Sequence, residues 1–213
     1  MAARPTPNGE AAPAKKRGRA AALSPERRRE VIVGTTLPLL LEHGRAVTTR
    51  QIAEATGVAE GTLFRAFPDK ESLMRAVVEA ALDPAPLDAR LAEIDATLPL
   101  DERLVEAVRV LQERSLSLWR LASALGFTPG IRGIATGRRR LMTDLGSLVA
   151  LFEADREQLR FDPASNARRL RALAVAASHP VFAEEPLSPE EIVSLFLDGV
   201  RRPAGAHRAR PRR

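Results

Sequence analysis

The sequence predicts an all-α protein, with a small three-helix unit near the N-terminal end followed by a larger helical body. Three observations carry that expectation. Apolar residues recur at three- and four-residue spacing along much of the 213-residue chain, the period of an amphipathic helix. The pairs Ser24-Pro25, Asp162-Pro163 and Ser188-Pro189 stand where helices should begin, each a capping side chain followed by the residue best suited to a first turn. No strand-like alternation rises above background, and no internal repeat is visible.

Residues 1–23 are rich in Ala, Pro and charge, and are expected to be disordered because they bury too little apolar surface to offset their ordering entropy. They contain one basic cluster, Lys15-Lys16-Arg17-Gly18-Arg19. Ser24-Pro25 then opens a helix that runs to about His43, with Val31, Ile32, Leu37, Leu40 and Leu41 as its apolar positions and Gly44 ending it.

The stretch from Thr48 to Leu73, TTRQIAEATGVAEGTLFRAFPDKESL, is the most informative in the chain. Thr48 with Gln51 three residues later fits a capping box. Ile52 and Ala53, extended by Ala55, supply the buried face of a short helix. Gly57 falls where the chain must reverse with a positive φ, and Val58 anchors that turn in the core. A second helix follows from Ala59 to Phe67, with Leu63 and Phe67 four apart and inward. Pro68 stops it, and Asp69 caps a fourth helix with Lys70 and Glu71 in its first turn. Two short helices over a glycine turn make a helix-turn-helix, whose second helix fits the major groove of DNA.

This segment resembles the N-terminal DNA-binding domain of TetR/AcrR-type transcriptional regulators. The resemblance rests on Ile52, Ala53, Gly57, Val58, Gly61, Thr62, Leu63, Phe67, Lys70 and Leu73. It implies phosphate contacts by Thr49, Thr62 and Lys70, which fix register without reading sequence. It implies that Arg50 reaches a base edge, where arginine prefers guanine O6 and N7. Arg65 belongs to the same reading surface. Two residues depart from the family pattern. Phe64 stands where the pattern has a phosphate-contacting tyrosine, and Glu60 puts a carboxylate at a groove-facing position, where it is repelled by phosphate but can accept from cytosine N4. Ala59 replaces the usual Ser or Thr cap, at a cost of about 1 kcal/mol. For Arg50 and Glu60 the alternative is a solvated surface charge. Lys70, opposed by the helix macrodipole, is explained by a phosphate partner.

The charge distribution agrees with a basic reader on a separate body. Residues 1–82 carry 13 Lys and Arg against 9 Asp and Glu, a net +4, whereas residues 83–200 carry 14 against 18, a net −4. Residues 201–213 hold six arginines and no acid. A basic domain beside an acidic one fits DNA binding joined to a sensor. The cluster from Lys15 to Arg19 reads either as an arm that follows the backbone or enters the minor groove, or as a solubilising tail.

The fourth helix is expected to end at Leu82, before Asp83-Pro84. Helical patterning resumes over Leu87–Ile94 and runs strongly from Asp101 to Leu125, with Leu104, Val108, Leu111, Ser115, Leu118 and Ala122 in one line. The glycines 126, 130, 133 and 137 lack the Gly-Lys-Ser/Thr ending of a phosphate loop and read as a flexible joint. Arg138-Arg139-Arg140 beside them reads as a solvated helix start, with anion binding as the alternative. Two helices end the body. One runs from Asp162-Pro163 to about Ser178 with Leu170, Leu173, Ala174 and Ala177 inward; the other opens on the capping box Ser188-Pro189-Glu190-Glu191 with Ile192, Leu195, Phe196 and Val200 as its apolar face. The family resemblance implies that these two helices pair with their symmetry mates in a homodimer. Ala172, Ala174, Ala176 and Ala177 would allow close approach there, with ordinary core as the other reading.

The resulting division is a tail over 1–23, a helix-turn-helix domain over 24–82, a helical ligand-binding and dimerisation domain over 83–202, and a basic tail over 203–213. The resemblance also implies a small-molecule pocket in the body. Trp119, Phe127, Met142 and Phe152 are its candidate lining, each equally readable as core, with Ser115, Ser117 and Arg120 as nearby polar groups. The absence of Tyr and the scarcity of polar candidates favour an apolar ligand.

Composition excludes other classes. Zero cysteine rules out disulfides, thiolate chemistry and cysteine metal sites. No apolar run is long enough to span a bilayer, and MAARPTPNGE has no apolar core of a secretory signal, so a cytoplasmic protein is expected. His43, His179 and His207 are scattered, and no H-E-x-x-H, G-x-S-x-G or G-x-G-x-x-G is present; no catalytic residue, metal or cofactor is expected. The expectation is a ligand-responsive repressor that binds a palindromic operator as a homodimer. Its alternatives are a helical adaptor whose helix-turn-helix contacts protein, or a regulator without a small-molecule ligand.

Overall fold

The computed structural model describes residues 24–126, 145–180 and 185–201. These residues form nine helices: α1 (Pro25–His43), α2 (Thr49–Thr56), α3 (Glu60–Ala66), α4 (Lys70–Leu82), α5 (Ala85–Ala92), α6 (Leu100–Ala124), α7 (Gly146–Ala150), α8 (Pro163–Ser178) and α9 (Pro189–Val200). Short 3-10 turns lie at Gly44–Ala46 and Arg156–Gln158. Pairing of extended backbone among the described residues is limited to an antiparallel bridge between Leu159 and Arg201.

The expected punctuation is formed. Ser24 accepts from the Arg27 amide and Pro25 opens α1. Asp162 does the same for the Ser165 amide at α8, and Ser188 with Glu191 makes a reciprocal capping box at α9. In α6 the long apolar line places Leu104, Val108 and Leu111 in the core, joined by Ala107. Beyond Leu111 the buried positions become Leu121 and Leu125, while Leu118 and Ala122 are half-buried.

Two apolar clusters organise the chain, and α6 belongs to both. Its first half joins Leu148, Phe152, Leu170, Ile192 and Phe196 in the core of the body. Its last turn carries Leu121 and Leu125 into a second core with Ile32, Leu40, Ile52, Leu63, Phe67 and Leu73. At 25 residues and 1.5 Å per residue, α6 is about 37 Å long and reaches from one cluster to the other. Its C-terminal end lies against Gly44, where a Cβ would stand 2.8 Å from the Ala124 carbonyl oxygen. Gly44 also has φ +58°, so both backbone conformation and space call for glycine there.

Four apolar assignments differ from expectation. In α1 the buried line is Ile32, Thr36 and Leu40, and Val31 and Leu41 face solvent at 38% and 43% exposure. Thr36 fills its buried place by donating its hydroxyl to the Ile32 carbonyl at 2.6 Å, a polar residue that an apolar pattern overlooks. Ala55 is exposed and adds nothing to the buried face of α2. On α9 the inward residues are Ile192, Val193, Phe196, Leu197 and Val200, whereas Leu195 is 58% exposed. On α8 the expected inward residues Leu170 and Ala174 are buried, and Ala172, Val175 and Ala176 are exposed.

One buried charge went unrecognised in the sequence. Arg103, 5% exposed, pairs with the Asp155 carboxylate and donates to the carbonyls of Ala96 and Leu98 at 2.9 and 3.0 Å. It thereby ties the loop before α6 to the segment after α7, with its Nε left unpaired.

Candidate nucleic-acid interface

The turn between α2 and α3 is built by hydrogen bonds that follow from Gly57. Its φ of 68° and ψ of 23° are left-handed, and the Gly57 and Val58 amides donate to the carbonyls of Glu54 and Ala53 at 3.2 and 3.1 Å. This is a Schellman closure, and it sets the crossing of the two helices. Thr48 and Gln51 complete a capping box at the start of α2. Ala59 offers no side-chain bond to α3, which depends for its seat on Leu63 and Phe67, at 2% and 1% exposure. Arg29 of α1 holds the end of α3, donating to the Ala66 carbonyl with its guanidinium 4.1 Å from the Phe67 ring centre. Asp69 and Ser72 cap α4 reciprocally, and the Ser72 amide and hydroxyl hold the Asp69 carboxyl below the usual carboxylate range.

With the inner face of α3 packed, Glu60, Gly61, Phe64 and Arg65 face solvent, and Thr62 is half-buried. Phe64 is 44% exposed. From α2, the half-buried Thr49 donates its hydroxyl to Glu60 Oε1 at 2.6 Å, so these two predicted contacts meet each other. Arg50 is exposed and its Nε donates to Glu54 Oε1 at 2.9 Å. The bond and charge of Glu54, assisted by the charge of Glu60, raise the Arg50 pKa above its ordinary value. Glu54 lies four residues after Arg50, the spacing of a helical ion pair, and that was the signal by which sequence reasoning could have found it. Lys70 donates to the Arg45 carbonyl at 2.8 Å, so its place at a helix start has a partner within the chain. The structure thus joins Thr49 of α2 to Glu60 of α3 and leaves Arg50, Phe64 and Arg65 exposed, with Lys70 tied to the 3-10 turn before α2.

Residues 32–77 match the family model described as "Bacterial regulatory proteins, tetR family". The match takes in α2, α3 and the Gly57 turn between them. The head carries a body whose fold is also found among solved structures. A TetR transcriptional regulator from Streptomyces coelicolor is 24% identical, with 83% of this chain and 99% of that chain covered and a TM-score of 0.50. A transcriptional regulator from Cytophaga hutchinsonii is 18% identical over 81% and 98% of the two chains, with a TM-score of 0.59. A putative TetR-family regulator from Mesorhizobium loti is 19% identical over 85% and 100%, with a TM-score of 0.56. No curated protein matches. These likenesses show the fold, a helical body behind a helix-turn-helix head.

Of the four residues expected to line a ligand pocket, Trp119 and Phe152 lie within the described structure. Phe152 is fully buried in the body core, edge-on to Phe196 at 6.0 Å. Trp119 lies edge-on to His179 at 4.7 Å, where burial lowers the His179 pKa. Phe127 and Met142 lie outside the described residues, as do glycines 130, 133 and 137, Arg138-Arg139-Arg140 and both tails. Among the described residues no helix is long and apolar enough to cross a membrane, and no group of three His, Cys, Asp or Glu is arranged to hold a metal.

Proposed function

We propose that this regulator is a cytoplasmic, ligand-responsive repressor that binds a palindromic operator as a homodimer and has no enzymatic activity. The observation that carries the DNA-binding reading is the turn fixed by Gly57, which seats α3 on Leu63 and Phe67 while Glu60, Phe64 and Arg65 face outward. Thr62 and Lys70 position the head on phosphates, the Thr49 hydroxyl holds Glu60, and Arg50 leaves Glu54 to read a guanine.

The homodimer reading is supported by apolar surface on α8 and α9. Leu195 at 58% exposure, Val175 at 37%, and the exposed Ala172 and Ala176 are small or apolar residues on the two helices that would pair across a twofold axis. Two heads related by that axis would read two half-sites. The ligand reading rests on the family resemblance, and a small apolar molecule in the body is the class it favours. Selection of bound duplexes from a random library tests the proposal. The expected result is an inverted repeat bound by two chains. Recovery of no sequence preference would favour the adaptor reading.

A further inference from the structure

Resting on the DNA-binding reading above, we infer that α3 reads pyrimidines, a cytosine through Glu60 and a thymine methyl through Phe64. These residues are four apart on α3 and both face solvent, so they share one face of the helix. Neither suits a phosphate. The Glu60 carboxylate is repelled by it, and the Phe64 ring has no donor. Both suit base edges.

A carboxylate can only accept. In the major groove the donors are the exocyclic amines of cytosine and adenine, and adenine presents its amine beside the N7 acceptor, which opposes a carboxylate. Cytosine N4 is the remaining match. The Thr49 hydroxyl, donating to Oε1 at 2.6 Å, fixes the orientation of the carboxylate and leaves Oε2 to accept. Thr49 is therefore a positioning residue, its one hydroxyl proton given to Glu60 and not to a phosphate. Phe64 at 44% exposure is an apolar ring beside this carboxylate, and the apolar group on a base edge in that groove is the C5-methyl of thymine. Four residues advance about 6 Å along a helix, and successive bases are about 3.4 Å apart along a strand. The cytosine and the thymine thus lie one or two base pairs apart in each half-site.

The test is library selection with the full chain, its Glu60→Gln variant and its Phe64→Ala variant, followed by binding to synthetic operators. Both side chains are exposed, and thermal melts establish that the variants fold as the parent does. The parent should enrich cytosine at one position, and Glu60→Gln should switch that position to adenine, whose N6 and N7 match an amide. Replacing the thymine by deoxyuridine should weaken the parent about fourfold, the worth of one buried methyl group, and leave Phe64→Ala unchanged. An enriched motif that is the same in Glu60→Gln, or a parent indifferent to deoxyuridine at every thymine, overturns the inference while leaving DNA binding intact. Failure of all three proteins to enrich any motif overturns the DNA-binding proposal and this inference together.

Discussion

Replacing Gly44 by alanine should loosen the seat of α6 on the head, and Gly57→Ala provides the control. Both glycines have positive φ, 58° and 68°. Gly57, with ψ 23°, is in the left-handed helical region and has nothing within 4 Å of an added Cβ. Alanine there costs about 1–2 kcal/mol of backbone energy. Gly44, with ψ −142°, is in a region nearly confined to glycine, where strain is about 1–3 kcal/mol. In addition its Cβ would meet the Ala124 carbonyl oxygen at 2.8 Å, and that neighbour is backbone and cannot swing aside. The clash must be relieved by moving the end of α6, which carries Leu121 and Leu125 in the head's core. Together these effects should cost about 3–4 kcal/mol for Gly44→Ala. Differential scanning calorimetry of both variants at one protein concentration measures the difference, with about 2–4 °C expected per kcal/mol in a chain of this size. A Gly44→Ala protein as stable as Gly57→Ala would refute the claim that close approach of α6 fixes this glycine.

Arg103→Ala leaves the Asp155 carboxylate and two carbonyls without their partner, so denaturant unfolding should show a loss of about 3–5 kcal/mol, with affinity of the folded protein for random duplex unchanged. Leu195→Arg places a charge on the exposed face of α9 and should give a folded monomer by light scattering; a stable dimer would remove α9 from the interface. Asp69, Asp162 and Glu191 all have carboxyl pKa values lowered by hydrogen bonds from their capping partners. Their contribution to stability is complete above the unfolded carboxylate value of about 4 and is lost as pH falls through the lowered folded values. Melts in acid should therefore fall less steeply for Asp69→Asn with Asp162→Asn, because Asn still accepts the capping bond but does not titrate in this range. Lys70→Ala should reduce the salt slope of DNA binding by about one unit with no change of sequence preference, whereas Arg50→Ala should relax preference at one base pair per half-site by about 1–3 kcal/mol.

The helix boundaries were legible because local chemistry sets them. Capping at Ser24, Thr48, Asp69, Asp162 and Ser188 requires only residues three apart in sequence, and Gly57 announces its own turn. Which apolar residues turn inward was less legible. Val31 and Leu41 neighbour the buried Ile32 and Leu40, and a one-position shift on a helix turns a side chain by about 100°. Leu195 was misassigned because it is as apolar as its buried neighbours Val193, Phe196 and Leu197, and composition alone does not separate them. Arg103 escaped notice because its partners at 96, 98 and 155 are brought together by the fold and not by spacing. In the head, the motif singled out Thr49 and Glu60 separately, but their pairing across eleven residues depends on the crossing of α2 and α3.

The central claim is that this helix-turn-helix meets a phosphate backbone. Affinity of the full chain for random-sequence duplex, measured across a series of salt concentrations, tests it most directly. Each phosphate neutralised contributes about −0.9 to the slope of log K against log salt. The account predicts a straight line with a slope of several units, made shallower by Lys70→Ala. A flat line, or no binding at low salt, would contradict it.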